Sequence, residues 1–139
     1  MFRFDSRRNE KRAQALLTRI ANHHCSQIAC LYEGPREEPR VPLTMAVYVV
    51  PCRDGQPRVD RAFACTTKEI ATRGVALVVD EPVAFDEAML GVSWEQQMCW
   101  LHGEVRHVSP LGAGFWQVGL HISTLLDLDA CRALQHLVI

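Results

Sequence analysis

The stretch LTMAVYVVPCRDGQ, residues 43–56, holds the local signals that decide the fold. Residues 43–50 are almost wholly apolar and rich in β-branched side chains, a pattern typical of a buried strand. The Asp54-Gly55 pair that follows is a strong signal for a tight turn between antiparallel strands. The stretch therefore predicts a strand that ends in a hairpin.

Further segments on the C-terminal side carry strand-like patterns. They are residues 58–66, 74–80, 97–108 and 115–122, with a turn at 110–114 between the last two. Residues 81–94 are expected to be irregular, because Pro82 stands near their start and Gly91 near their end.

Amphipathic patterns flank the strands at both ends of the chain. Residues 6–30 place Leu16, Leu17 and Ile20 on one stripe, and residues 124–137 repeat apolar positions every three or four residues. Both patterns predict helices. The order helix, five or six antiparallel strands, helix favours a mainly β fold, a small β-barrel with an N-terminal and a C-terminal α-helix. Because the order is not βαβ, a Rossmann-type nucleotide fold is disfavoured.

The bulk composition bounds the class of protein. The 139 residues fit one domain, and the net charge of −1 provides no chain-wide field for DNA or RNA, so any anion site must be local. No apolar run is long enough to span a bilayer, and the charged N-terminus is unlike a signal peptide, so a cytoplasmic protein is expected. The six cysteines form no CxxC pair, which favours reduced thiols, and no metal site at finger spacing is found.

Enzyme motifs do not emerge from the sequence. His102-Gly103-Glu104 matches half of a zinc deaminase signature, but no P-C-x-x-C follows it. Neither a glycine-rich phosphate loop nor a nucleophile elbow occurs, and no acid–base pair is placed by spacing. We therefore expect a non-enzymatic protein without a cofactor.

The segment GPREEPR, residues 34–40, holds two arginines at fixed spacing on a proline-stiffened stretch. A guanidinium can bind bidentately to a guanine edge or to phosphate oxygens, and neighbouring prolines lower the ordering entropy lost on binding. Arg36 and Arg40 therefore suit an anion or guanine site. The alternative is a solvated charged linker in which both arginines pair with nearby glutamates.

A second segment, CTTKEIATRGVALVV at residues 65–79, favours the first reading. Together the two segments resemble the PilZ domain family, bacterial receptors for cyclic di-GMP whose signature is an RxxxR loop followed by DxSxxG. Residues 36–40 match RxxxR, and residues 69–74 read ExAxxG in the second position. The hairpin formed by 103–108 and 115–122 looks like the closing hairpin of the family. The resemblance covers about residues 34–123.

The resemblance implies a six-stranded barrel and a set of ligand contacts. Arg36 and Arg40 would bind guanine edges and phosphates, Glu69 and Ala71 occupy the positions of the acid and serine, and Gly74 would let the backbone turn closely. Arg73, inside the second motif, would add a phosphate contact or be solvated. The ligand implied is cyclic di-GMP, and a protein effector is the expected partner.

Two departures from the motif support an alternative function. Glu69 replaces an aspartate and Ala71 replaces a serine, so the chain could instead be a degenerate PilZ-fold interaction module that does not bind the nucleotide.

The predicted organisation is a helical extension at 1–33, a barrel at 34–123 and a C-terminal helix at 124–139 packing on or beside the barrel. The two helices either dock on the barrel or form a homodimer or effector interface.

Overall fold

The computed structural model describes residues 6–29 and 40–126, and within the helix it describes the side chains of residues 10–21. The elements in chain order are α1 (Ser6–Ala29), β1 (Val41–Pro42), β2 (Ala46–Arg53), β3 (Gln56–Pro57), a 3-10 helix (Val59–Arg61), β4 (Phe63–Ile70), β5 (Gly74–Val79), β6 (Glu87–Trp94), β7 (Gln97–Gly112) and β8 (Phe115–Leu125).

Six long strands close into an antiparallel barrel. The strand order is β1-β4-β5-β8-β7-β6-β2-β3, and an additional pairing of β4 with β2 joins the two sides into a ring. The six-stranded barrel is thus confirmed. The two-residue strands β1 and β3 lie outside the ring and were not predicted.

The Asp54-Gly55 turn has the backbone that its sequence predicts. Asp54 has φ of 53° and Gly55 has φ of 77°, and Arg53 pairs with Gln56 across the turn. Two successive positive φ values are typical of a type I′ hairpin, whose twist matches that of the flanking strands.

The barrel interior is a single apolar core made by alternate residues of each strand. On β5, for example, Val75, Leu77 and Val79 belong to this core, and on β8 Val118 and Leu120 belong to it. Because side chains alternate across a strand, the residues between them face outward. This alternation decides which side chains of β5 and β8 are available to a ligand.

Helix α1 contributes to the same core. Ala13, Leu16, Leu17 and Ile20 are at most 2% exposed and pack with the barrel interior. The helix contacts mainly β8 and β1. The predicted apolar stripe on residues 6–30 is therefore confirmed as the buried face of a helix.

A second apolar cluster covers part of the outer wall. Val50, Met89 and Trp100 are at most 3% exposed there, and Leu126 joins them with its N–H bonded to the Trp100 carbonyl. A Cβ at Gly91 would lie 2.7 Å from two ring carbons of Trp100. The glycine is therefore what lets the indole pack flat on this wall.

Strand β7 is unusually long and irregular. Residues 97–104 pair with β6, whereas in the described structure the remainder pairs with β8 alone. The β7–β8 register shifts between Val105 and His107 and again between Pro110 and Gly112. Such bulges bend a strand and redirect its side chains.

Four sequence-based predictions need correction. The strand expected at 58–66 is wrong in its first half, because Val59–Arg61 form the 3-10 helix and β4 begins at Phe63. Residues 81–94 are not irregular throughout, because Glu87–Trp94 form β6, which pairs with both β2 and β7. The C-terminal helix does not begin at 124, because Thr124 pairs with His102 and Leu125 with Leu101 in β8. The rest of that predicted helix, residues 127–137, lies outside the described residues. The strand at 97–108 also continues past Pro110 to Gly112.

Candidate functional site

The two motif segments meet at one surface cavity of about 360 Å³. Arg40, Glu69, Ala71, Arg73 and Gly74 all line it. Arg36, the first arginine of RxxxR, lies outside the described residues. Five of the six residues singled out from the sequence are thus brought together on the outer face of the barrel.

Arg40 stands at the rim of this cavity, directly before β1. Its Nη1 donates to Glu69 Oε1 at 3.4 Å, across 29 positions of sequence. The pairing of β1 with β4, which opposes Pro42 to Glu69, sets this approach. The Arg40 side chain is 56% exposed, so most of its donors face solvent and the cavity.

The turn from β4 to β5 supplies the next wall. The Ala71 N–H donates to the Gly74 carbonyl at 2.9 Å and the Ile122 N–H donates to the Arg73 carbonyl at 2.8 Å, which ties the turn to β8. A Cβ at Gly74 would stand 3.1 Å from the Leu120 carbonyl oxygen. Gly74 therefore permits a close approach of two backbones.

The floor of the cavity is a row of four residues in register across four strands. Glu69 pairs with Ala76, Ala76 with Gly119, and Gly119 with His107. The two central members are an alanine and a glycine, the smallest residues, so the row forms a trough bounded by Glu69 and His107. With strands about 4.8 Å apart, the trough is roughly 14 Å across.

Sequence reasoning missed the far wall of this trough. Arg106, His107, Gln117 and His121 line it, on β7 and β8. The register shift between Val105 and His107 places Arg106 in a bulge, and both Arg106 and His107 are exposed. A bulge and a cross-strand register leave no local signal in the sequence, so these residues could not be singled out from it.

The charges around the cavity favour an anion. Its lining holds three guanidinium groups, of Arg40, Arg73 and Arg106, against one carboxylate, of Glu69. Arg106 also contacts Glu104, with Nη2 at 3.4 Å from Oε2. On a chain of net charge −1 this is the local positive site that an anionic ligand needs.

A larger cavity, of about 980 Å³, opens at one end of the barrel. It lies between the start of β4 and the loop before β6, and its rim mixes arginines with carboxylates. None of the motif residues line it. We therefore assign the candidate site to the smaller cavity, where the charge has one predominant sign.

Two other kinds of feature, a metal site and a membrane-spanning helix, are not found among the residues that the structure describes. No group of three or more His, Cys, Asp or Glu side chains in residues 6–29 and 40–126 is arranged to hold a metal ion. Among those residues no helix combines the length and the apolarity that crossing a bilayer requires.

Comparison with known proteins identifies the family. A model of the PilZ domain matches residues 35–139, well over half of the chain. The chain belongs to the PilZ domain family. PilZ domains are ligand-binding and adaptor modules of a cyclic di-GMP receptor family. No curated protein matches the chain.

A solved structure shares the fold of this PilZ chain. It is the Bacillus subtilis inhibitor of motility MotI/DgrA, with a TM-score of 0.52 and 14% sequence identity. The match covers 74% of this chain and 49% of that chain, so the present chain corresponds to about half of its neighbour. At this identity the likeness establishes the fold alone. The function has to be inferred from the candidate site.

Proposed function

We propose that this PilZ domain is a receptor for cyclic di-GMP that acts as an adaptor toward a protein effector. The observation that carries the proposal is the meeting of the two motif segments, with Arg40 Nη1 at 3.4 Å from Glu69 Oε1 at the rim of one cavity. The local excess of guanidinium groups supports a ligand with more than one phosphate.

Glu69 acts in this proposal as a positioning group for Arg40. An ion pair this exposed contributes at most about 1 kcal/mol, so a phosphate oxygen or a guanine edge can replace the carboxylate at little cost. The pair keeps the guanidinium over the trough before the ligand arrives. Arg36 is assigned the same ligand-binding role on the basis of the RxxxR spacing.

The position of Arg40 in the fold suggests how ligand binding could be coupled to an effector protein. Arg40 immediately precedes β1, and β1 is held to β4 by two residue pairs. In this proposal, binding of a ligand by Arg40 changes the outer surface beside β1. We infer that this change is what an effector protein recognises.

A second candidate function is supported by Ala71. Its position in the cavity is the one where the family motif has a serine, and a methyl group makes no hydrogen bond there. Loss of one neutral hydrogen bond weakens affinity by roughly twofold to tenfold. A domain weakened in this way could act by protein contacts alone, without the nucleotide.

Calorimetric titration with cyclic di-GMP tests the proposal. Wild type should give saturable binding in the micromolar range. Arg40→Ala should weaken it by roughly tenfold to a hundredfold, since a charged hydrogen bond is worth about 1.5–3 kcal/mol. The Arg36→Ala/Arg40→Ala double variant should abolish it.

Arg53→Ala is the matched control. It removes another exposed arginine, at the end of β2, that does not line the cavity, and its affinity should equal that of wild type. If folded wild type gives no binding heat at several temperatures, the receptor proposal is rejected and the second candidate stands.

A further inference from the structure

His107 is the feature of the cavity that the motif leaves unexplained. It stands on β7 opposite Gly119, at the far end of the trough from Glu69. A Cβ at Gly119 would lie 2.6 Å from Nδ1 and 3.0 Å from Nε2 of His107. The imidazole therefore occupies the space above the glycine, lying across the neighbouring strand.

A chain of hydrogen bonds holds the ring in this position. Lys68 Nζ donates to Gln117 Oε1 at 2.8 Å, and Gln117 Nε2 lies 3.5 Å from His107 Nε2. An ammonium can only donate, so it fixes which end of the Gln117 amide faces it, and the amide N–H then faces the histidine. His107 Nε2 accepts in this arrangement, which places the ring N–H on Nδ1.

We propose that the His107 ring is the surface on which a purine base of the bound nucleotide packs. This inference rests on the proposed function and names the part of the ligand that the far wall recognises. The phosphates are held at the Arg40 end of the trough, and the base stacks on the exposed face of the imidazole, which itself covers Gly119.

Three features of the site support a stacking surface. The ring is exposed on the cavity side, so a base can reach it. Its orientation is fixed before binding, which reduces the entropy lost on association. Ala76 places only a methyl group on the floor beside the imidazole, so a flat base can approach the ring.

The test is a titration with three probes that share the cyclic diphosphate ring and differ in the bases, namely cyclic di-GMP, cyclic di-AMP and cyclic di-UMP. Removal of an aromatic stacking partner weakens binding by about fivefold to a hundredfold per base. His107→Ala should therefore weaken the two purine ligands by at least fivefold and cyclic di-UMP by a smaller factor, because the single ring of a pyrimidine offers less area to stack. His107→Phe, which keeps a ring, should restore purine binding.

Gly119→Ala provides an independent variant at the same place. The added methyl group needs the space that the imidazole occupies, so it should displace the ring and reproduce the His107→Ala pattern while His107 itself is retained. Arg40→Ala should differ from both, because loss of a phosphate contact weakens all three ligands alike. Arg53→Ala again serves as the neutral control.

The outcomes separate this inference from the proposed function. Equal affinity of wild type and His107→Ala for cyclic di-GMP, together with loss in Arg40→Ala, overturns the stacking surface and leaves the receptor standing. Equal losses in His107→Ala and His107→Phe also overturn it, since a ring would not then be what the ligand needs. Absence of binding to every probe by folded wild type overturns both.

Discussion

Thr67 anchors the segment that follows Arg40, and removal of its hydroxyl should lower the stability of the whole domain. It is the single buried polar or charged residue within the described structure, with 2% exposure. Its Oγ1 donates to the Leu43 carbonyl at 2.5 Å and accepts from the Met45 N–H at 3.0 Å. Residues 43–45 connect β1 to β2, so the hydroxyl fixes the path of the chain just after the motif arginine.

Thr67→Val keeps the shape of the side chain and removes both hydrogen bonds. Two bonds at about 0.5–1.5 kcal/mol each, with a partly buried donor and acceptor then unsatisfied, give a loss of about 2–3 kcal/mol in the free energy of unfolding. For a domain of this size the melting temperature should fall by roughly 8–12 °C. Thr67→Ser, which keeps the hydroxyl and loses a methyl group, should cost only about 1 kcal/mol.

Urea unfolding and amide hydrogen exchange together test this prediction. The midpoint should fall in Thr67→Val with an unchanged slope, since the surface exposed on unfolding is the same. The Met45 amide should exchange roughly tenfold faster or more in Thr67→Val than in Thr67→Ser. If the two variants are equally stable, or if Met45 keeps its protection in both, the hydroxyl does not anchor this segment and the argument is wrong.

Two further predictions concern the cavity and the thiols. Ala71→Ser restores the hydroxyl of the family motif and should tighten cyclic di-GMP binding by roughly twofold to tenfold in the same titration; unchanged affinity would show that no ligand atom reaches position 71. Burial raises the pKa of Cys52 and of Cys65 to about 11. Alkylation of both in folded protein should therefore be slow at pH 9 and rise with pH toward 11, as followed by mass spectrometry. Between those values the folded state keeps protons that the unfolded chain has lost, so the free energy of unfolding should fall with rising pH, and a flat profile would contradict the assignment.

The sequence predicts best what is decided locally. The Asp54-Gly55 hairpin, the strands at 74–80 and 115–122 and the stripe on α1 depend on neighbours within a few positions, and each is present in the structure. Strand β6 was missed for a physical reason. Both of its faces are buried, one by the core and the other by the outer cluster, so its sequence lacks the alternation of apolar and polar residues. Gly91 reads as a loop residue in the sequence, whereas in the structure it makes room for Trp100.

The residues of the candidate site also fall into two groups, those that a local sequence pattern marks and those that only the folded structure reveals. Arg40, Glu69, Ala71, Arg73 and Gly74 belong to two short motifs, so the sequence could point to them before any contact was known. Arg106 and His107 reach the cavity only through a bulge and through the pairing of β7 with β8, which no local pattern encodes. The prediction of a second helix was wrong at its first residues, because strand pairing extends β8 to Leu125.

The far half of β7 has a consequence for self-association. Beyond Val105, whose N–H donates to the Asp86 carbonyl, this strand pairs on one side only within the part of the chain that the structure describes, so it exposes an edge of backbone donors and acceptors. An open edge is a template for adding strands of other molecules. Here Pro110 offers no N–H, Arg106 brings a charge, and the two register shifts keep the edge from being flat. The irregularity that directs side chains toward the cavity thus also protects the domain from edge-to-edge association. A straight β7 would lose the far wall of the cavity and expose an edge that favours aggregation.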